Sequence, residues 1–374
     1  MRKGWEIKKL GEVCDRGSSN VSQNQLDKEE GEYPIFGASG LIKKVSFYHR
    51  DKPYLSIVKD GSGVGRVTKM DAFTSVIGTL QYIMPKEDID LNYLNYALIS
   101  VDFKKYVAGA AIPHIYFKDY KNEPFLWMPL PEQQHIVSIL DKAFSSIEQA
   151  KENLQRNLQN AKELFQSELN SIFTNKGEGW EEKRLGEVAE HSLGKMLDKN
   201  KNVGVLQKYL RNQSVRWFGF DMSDLYEMPF LEKETEKYTA KKGDVLICEG
   251  GYPGRAAIWE EDYPIFFQKA IHRVRFINIE YNKWFLYFLF HSDYNGTLRA
   301  NFSGTGIQHF TGEALHKFIV PLPPVNKVLK IVQQLDKLST ETKRLEAMYQ
   351  QKLDALEELK KSILQNAFSG ELSN

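Results

Sequence analysis

From about residue 132 to 174 the chain has no glycine or proline, and Ile136, Leu140, Ile147, Leu154, Leu158, Ala161, Phe165, Leu169 and Ile172 recur at helical spacing among polar residues. The spacing predicts one long amphipathic helix. Pro131 and Glu132 suit its first turn, where the N–H groups are unpaired and the helix dipole is positive, and Gly177 lies just past its end. The pattern returns over about 325–369 with Leu335, Leu338, Leu345, Met348, Leu353, Leu356, Leu359 and Ile363, after Pro323 and Pro324 and with a stop expected at Gly370. A helix of about 42 residues is roughly 60 Å long at 1.5 Å per residue. Such an apolar stripe is too long to be hidden by a domain of ordinary size, and the other helix is the partner of matching length in this chain. An antiparallel coiled coil with a globular domain near each end, related by an approximate twofold axis, is therefore expected. Two separate helical tails, or pairing between molecules, are the alternatives.

The remaining segments read as mixed α/β. Tyr54 to Val58, Gln81 to Met84 and Asp244 to Ile247 are short, rich in β-formers and bounded by Gly, Pro or Asp, which predicts strands. Leu91, Leu94 and Leu98, and Trp284, Phe285, Phe288 and Leu289, predict short helices over about 91–105 and 283–292. The fold class is α+β.

The chain also repeats itself. Gly4-Trp5-Glu6-Ile7-Lys8-Lys9-Leu10-Gly11-Glu12-Val13 returns as Gly179-Trp180-Glu181-Glu182-Lys183-Arg184-Leu185-Gly186-Glu187-Val188, identical at eight of ten positions. Pro129-Leu130-Pro131 leads to Ile136-Val137 and Leu140-Asp141-Lys142, and Pro321-Leu322-Pro323 leads to Ile331-Val332 and Leu335-Asp336-Lys337. Glu163, Leu164, Ser167 and Phe173 match Glu358, Leu359, Ser362 and Phe368 at a constant offset of 195. Between these markers, Gly65-Arg66 is echoed by Gly254-Arg255, and Ile112 with His114 by Ile307 with His309. The expected domains are 1–131 and 176–323, each followed by a spacer helix, at 132–175 and 324–374.

Charge narrows the choice of partner less than usual. The net charge is +1; residues 1–131 hold 18 Lys and Arg against 16 Asp and Glu, and residues 176–323 hold 20 against 20. Any nucleic-acid face must come from local clustering of cations, because binding depends on the density of charge facing phosphates. Cys14 and Cys248 are the two cysteines, far apart, which gives neither a disulfide framework nor a zinc cluster. No long apolar run predicts a membrane span, and the opening residues lack the apolar stretch of a secretory signal, so a cytoplasmic location is expected.

The order of Trp-x4-Leu-Gly-Glu-Val, variable domain, Pro-Leu-Pro and long helix, run through twice over essentially the full length, resembles the specificity subunit of type I restriction-modification enzymes. That resemblance implies two target-recognition domains that bind double-stranded DNA, held apart by the helices. It also implies two modification subunits that methylate adenine at N6, and two restriction subunits in the full complex. S-adenosylmethionine, ATP and Mg would then sit on those partners, with no cofactor on this chain. A rigid spacer implies a bipartite target whose halves lie one to two turns of DNA apart, at about 34 Å per turn. The halves should differ, since Lys59-Asp60-Gly61-Ser62-Gly63-Val64-Gly65 stands where the second copy has Cys248-Glu249-Gly250-Gly251-Tyr252-Pro253-Gly254.

Candidate contacts follow from residue chemistry. The glycine-rich stretches end in Arg66 and Arg255, placing a donor for a base edge beside backbone that can approach a phosphate, with Lys59 and Tyr252 next to them; ordinary β-turns are the competing account. Gly61, Gly63 and Gly65 have the wrong spacing for a nucleotide fingerprint, and no Lys-Ser/Thr follows. Lys43 and Lys44 follow a Tyr-Pro-x-x-Gly segment at Tyr33 that the resemblance associates with recognition domains, and are phosphate candidates. His114 with Tyr116, and Gln308 with His309, sit at matching places in the two copies; a structural, hydrogen-bonded histidine explains them equally well. Lys208, Arg211 and Arg216 with Trp217 form one basic stretch, and Lys269, Arg273 and Arg275 with His272 another. Arg273 and Arg275 would share one face of a strand, and salt bridges are the competing use.

Motifs for catalysis are not seen: no Asn/Asp-Pro-Pro-Tyr/Phe methyltransferase stretch, no phosphate-binding loop and no His-Glu-x-x-His. The sequence therefore points to a non-catalytic DNA-specificity subunit. A two-headed protein scaffold and an enzyme with an unrecognised site are the other classes.

Overall fold

The uninterrupted stripes form two helices of 45 residues each, Leu130–Thr174 and Val325–Ser369, in a computed structural model that describes residues 4–198 and 202–369. Gly370, the expected stop of the second helix, lies outside the described residues. By its internal packing the chain divides into two units, one holding the residues up to Arg156 with those from Tyr349 onward, the other Asn157–Met348. Each unit thus takes part of both long helices.

In the first unit, Glu6–Lys9 pairs antiparallel with Pro124–Trp127, which ties the start of the unit beside the strand that leads into the long helix. One helical turn, Leu10–Val13, follows; the Glu12 carboxylate accepts the Lys9 amide at 2.8 Å, capping an otherwise unpaired donor. A four-stranded antiparallel sheet has the order Cys14–Ser18, Leu80–Pro85, Tyr54–Val58, Val67–Met70. Tyr54–Val58 is buried at every position, as a central strand covered on both faces must be. A smaller sheet joins Gly40–Val45, Tyr33–Gly37 and Ser75–Val76, the last pair parallel.

Asp90 caps the helix Leu91–Ser100 by accepting the amides of Asn92 and Tyr93. The helix expected over 91–105 stops at Ser100, because Val101 is extended and the Asp102 carboxylate captures the Lys104 amide to start a separate 3₁₀ turn, Phe103–Tyr106. Side chains at Ser, Asp and Asn compete with helix continuation in this way.

The second unit follows the same plan. Glu181–Arg184 pairs antiparallel with Ile319–Leu322, and the turn Leu185–Val188 comes next. The larger sheet has the order Ala189–Leu193, Ile271–Phe276, Val245–Cys248, Ala256–Ile258. A second sheet contains Tyr226–Phe230, Val205–Leu210, Ile265–Phe267 and Thr239–Ala240, again with one parallel pair, Tyr209 opposite Phe266. The helix Tyr281–Tyr294 stands where the first unit has Leu91–Ser100.

In both units a helix of the globular part is fastened to the long helix by a tyrosine. The Tyr96 hydroxyl donates to Asp141, and the Tyr287 hydroxyl donates to Asp336 at 2.7 Å. The two aspartates are the ones repeated after Leu140 and Leu335, both fully buried. Sealing such a leucine from water contributes about 1.5–3 kcal/mol. In the first unit Ile136, Leu140, Phe144 and Ile147 share a core with Leu364 and Ala367. Lys151 pairs with Glu357 at 2.6 Å and Glu148 with Lys360 at 3.1 Å, so the two helical segments of that unit run in opposite directions. In the second unit Phe165, Leu169 and Phe173 share a core with Val328 and Leu335.

Candidate nucleic-acid interface

At the end of the central strand Tyr54–Val58 the backbone turns back through the glycine-rich loop. The Gly65 amide donates to Val58 O at 2.9 Å and the Val58 amide to Arg66 O at 3.0 Å. Gly65 has φ +86°, and a Cβ there would meet the Phe103 side chain at 2.6 Å, so the turn requires glycine. The segment 108–114 closes against this loop: Ile115 N–H donates to Lys59 O and Gly61 N–H to Pro113 O, while Ala108 and His114 exchange both backbone bonds at 2.9 Å. The Arg66 guanidinium reaches the carbonyl of Ala38, in the turn between the strands Tyr33–Gly37 and Gly40–Val45. Three loops from separate stretches of sequence thus meet around one arginine.

The second unit builds the same junction. Gly254 N–H donates to Cys248 O at 2.9 Å, Cys248 N–H to Arg255 O at 2.8 Å, Phe310 N–H to Glu249 O at 2.8 Å, and Ser303 and His309 exchange both bonds at 2.9 Å. Arg255 donates to Asn212 O at 3.1 Å and lies over the Tyr252 ring at 5.1 Å. The Asn212 amide nitrogen donates to Gly250 O at 3.1 Å, joining the third loop. Beneath it, burial pushes the Cys248 thiol up to about 11, so the thiol stays protonated near neutral pH. The His272 Nε2–H donates to Phe310 O at 3.1 Å, and burial holds its pKa down at about 4, so the imidazole stays neutral near neutral pH.

Arg66, Lys59 and His114 come together at the first junction, and Arg255, Tyr252, Gln308 and His309 at the second. Lys59 forms an ion pair with Asp60 at 2.6 Å. His114 Nδ1 lies 3.2 Å from Ile112 O and its ring 5.0 Å from Tyr116, which is exposed. Gln308 is exposed, and Tyr252 donates to Asp293 at 3.1 Å. Lys43 and Lys44 follow the turn that Arg66 touches; Lys43 donates to Leu26 O at 2.9 Å, whereas Lys44 is exposed with no ion pair among the described residues.

The two basic stretches of the second unit separate. Arg211 is held by Asp224 at 2.6 Å and stacks on Tyr226 at 3.7 Å, and Arg216 pairs with Asp221 at 3.1 Å. Lys208 and Lys269 remain exposed, with no ion pair among the described residues. Arg273 and Arg275 do share one face of their strand, but that face turns inward. Arg273 is 8% exposed and donates to the carbonyls of Glu236 and Thr239, and Arg275 grips buried Asp244 through two bonds of 2.7 and 2.6 Å. Twenty acids in the domain compete for such donors, and a bidentate carboxylate is the stronger claim.

Asn212 was missed in the sequence, since it carries neither a charge nor a motif; the Ala38 turn was visible as the loop Gly37-Ala38-Ser39-Gly40 that ends the Tyr-Pro-x-x-Gly segment, but not as a partner of Arg66. Ile112 and Ile307 were visible only as markers of the repeat. Among the described residues no group of three His, Cys, Asp or Glu is placed to hold a metal, and no helix is long and apolar enough to cross a membrane.

The chain builds one multi-loop junction twice, each time with arginine and histidine at its rim. The sequence model of the type I restriction modification DNA specificity domain matches residues 2–156 and 177–357, and the chain belongs to that family. It is similar to the type I restriction enzyme MjaVIII specificity subunit of Methanocaldococcus jannaschii, 24% identical with 98% of this chain and 93% of that one covered. Among solved structures it resembles a chain from work on complex assembly and conformational transition of the type I R-M system, with TM-score 0.78, 16% identity and 99% of both chains covered. It also resembles the HsdS subunit from Thermoanaerobacter tengcongensis, with TM-score 0.61, 17% identity and 99% and 98% covered. Its function is that of a DNA-binding specificity subunit.

Proposed function

We propose that each unit reads one half of a bipartite, asymmetric DNA target, without catalysing a reaction, and that the chain positions two adenine-N6 modification subunits and two restriction subunits on it. S-adenosylmethionine, ATP and Mg belong to those partners. The observation that carries this is the junction around Arg66 and its counterpart around Arg255, with one backbone plan and different side chains at the rim. The domains 1–131 and 176–323 act as the readers, and the helices at 132–175 and 324–374 pair as an antiparallel coiled coil that fixes the distance between half-sites, with an approximate twofold axis between the copies.

Within the readers, Lys44, Lys208 and Lys269 supply phosphate contacts, joined by Lys43 and Lys59 when DNA displaces their present partners; Arg66, Arg255, Gln308, His114, His309, Tyr116 and Tyr252 face bases or sugars. Arg211, Arg216, Arg273 and Arg275 shape the surface behind them. The test is genome-wide mapping of N6-methyladenine in cells that carry the modification subunit with and without this chain. A single two-part motif with an undefined spacer should vanish with the gene; an unchanged methylation pattern would favour a protein scaffold.

A further inference from the structure

We propose that Ile112 and Ile307 read an apolar group on the DNA, the 5-methyl of a thymine, one in each half of the target. The proposal rests on the function proposed above and names a chemistry for its site. The two side chains are 66% and 75% exposed, and they occupy the same place in the two copies, two residues before His114 and His309.

Neither is exposed by looseness of the chain. Each lies in a seven-residue loop whose ends exchange two backbone bonds, Ala108 with His114 and Ser303 with His309. Inside each loop a glycine at positive φ, Gly109 at +90° and Gly304 at +104°, lets the isoleucine carbonyl fold over it. A Cβ at Gly109 would lie 2.4 Å from Ile112 O, and one at Gly304 would lie 2.3 Å from Ile307 O. Both loops thus share a backbone form that presents the side chain and that requires glycine at this position.

The tip offers no cation to a phosphate. Gly109-Ala110-Ala111 and Gly304-Thr305-Gly306 carry no charge, while the cationic and imidazole groups stand behind them at the junction. A slender neutral tip carrying one branched aliphatic group fits a base edge. In the major groove the apolar feature of a base edge is the thymine methyl, set among hydrogen-bond donors and acceptors that Arg66, Arg255 and Gln308 can address. An adenine-modified target supplies a thymine opposite the modified base in each half. The neighbouring position differs, Pro113 in one loop and Gln308 in the other, so a shared methyl contact is accompanied by polar readout in the second half alone.

The full chain assembled with its modification subunit is titrated with duplexes carrying the mapped motif, each thymine of either strand replaced in turn by deoxyuridine. At one thymine in each half, loss of the methyl should weaken binding about 3- to 10-fold. I112A should abolish that sensitivity in one half and I307A in the other, with thermal melting unchanged because both side chains are exposed. Full sensitivity retained in the alanine variants, or no position sensitive to deoxyuridine, overturns the proposal. Fluorescence of 2-aminopurine that rises at the site and falls with I112A or I307A would make the side chain an inserted wedge and overturn it as well. Absence of any sequence-selective binding by the wild-type assembly would overturn both this and the function it rests on.

Discussion

Around Val58 and around Cys248 the same backbone bonds are made to the arginine, to the glycine before it and to the segment that precedes the next helix, yet the side chains beyond them diverge. Lys59 and Asp60 face each other in the first unit where the second has Glu249 and Gly250; Pro113 stands where the second has Gln308; Arg66 reaches Ala38, and Arg255 reaches Asn212. The difference separates two tasks. Backbone bonds and obligatory glycines keep three loops at fixed positions, and the rim residues are then free to vary without cost to that frame. Two units with one backbone frame can carry different rim chemistry for this reason.

A second contrast lies beneath the junctions. The sheet registers, Cys14 opposite Pro85 and Ala189 opposite Phe276, make Gln81 and His272 equivalent. Gln81 donates to the buried Tyr120 hydroxyl, and His272 serves Phe310 O, at the base of the loop that carries Gln308. One unit fixes this point with a group that does not titrate, the other with a histidine.

The strongest way to break the comparison is to open each core separately. L140A and L335A remove matched, fully buried leucines and should each cost about 2–5 kcal/mol. Hydrogen exchange should show L140A loosening residues up to Arg156 with those after Tyr349, and L335A loosening Asn157–Met348. Equal loosening of both units by either variant would mean that they do not hold their cores independently.

A smaller effect sharpens the contrast between Gln81 and His272. Because burial lowers the His272 pKa from 6.5 to about 4, the unfolded chain binds a proton in this interval that the folded chain does not. Its neutral form therefore supports folding fully above pH 6.5, and stability is lost as the pH falls from there toward 4, on the order of 2 kcal/mol at pH 5. Urea unfolding of wild type and H272Q should give a stability gap that moves by about this amount, to the disadvantage of wild type, between pH 7.5 and 5. A gap independent of pH would show that His272 does not titrate in this way.

The long helices were legible because runs without glycine or proline over 132–174 and 325–369 leave few other structures, and the repeat was legible because Trp5 and Trp180, or Asp141 and Asp336, recur with their surroundings. The central strand and the paired loops were partly legible from Tyr54–Val58 and from the shared Ile-x-His spacing. What stayed hidden was the fate of each cation. Arg273 and Arg275 alternate correctly for one strand face, but periodicity does not say which face carries Asp244 or the carbonyls of Glu236 and Thr239. Asn212 stayed hidden because its role is made by Gly250 and Arg255, both about forty residues away.

That each junction reads its own half of the target is tested most directly by exchanging residues 14–128 for the matching stretch of a relative with a different motif, and mapping adenine methylation by the hybrid. One half of the motif should change while the other half stays as before. A hybrid that methylates a motif altered in both halves would contradict the account.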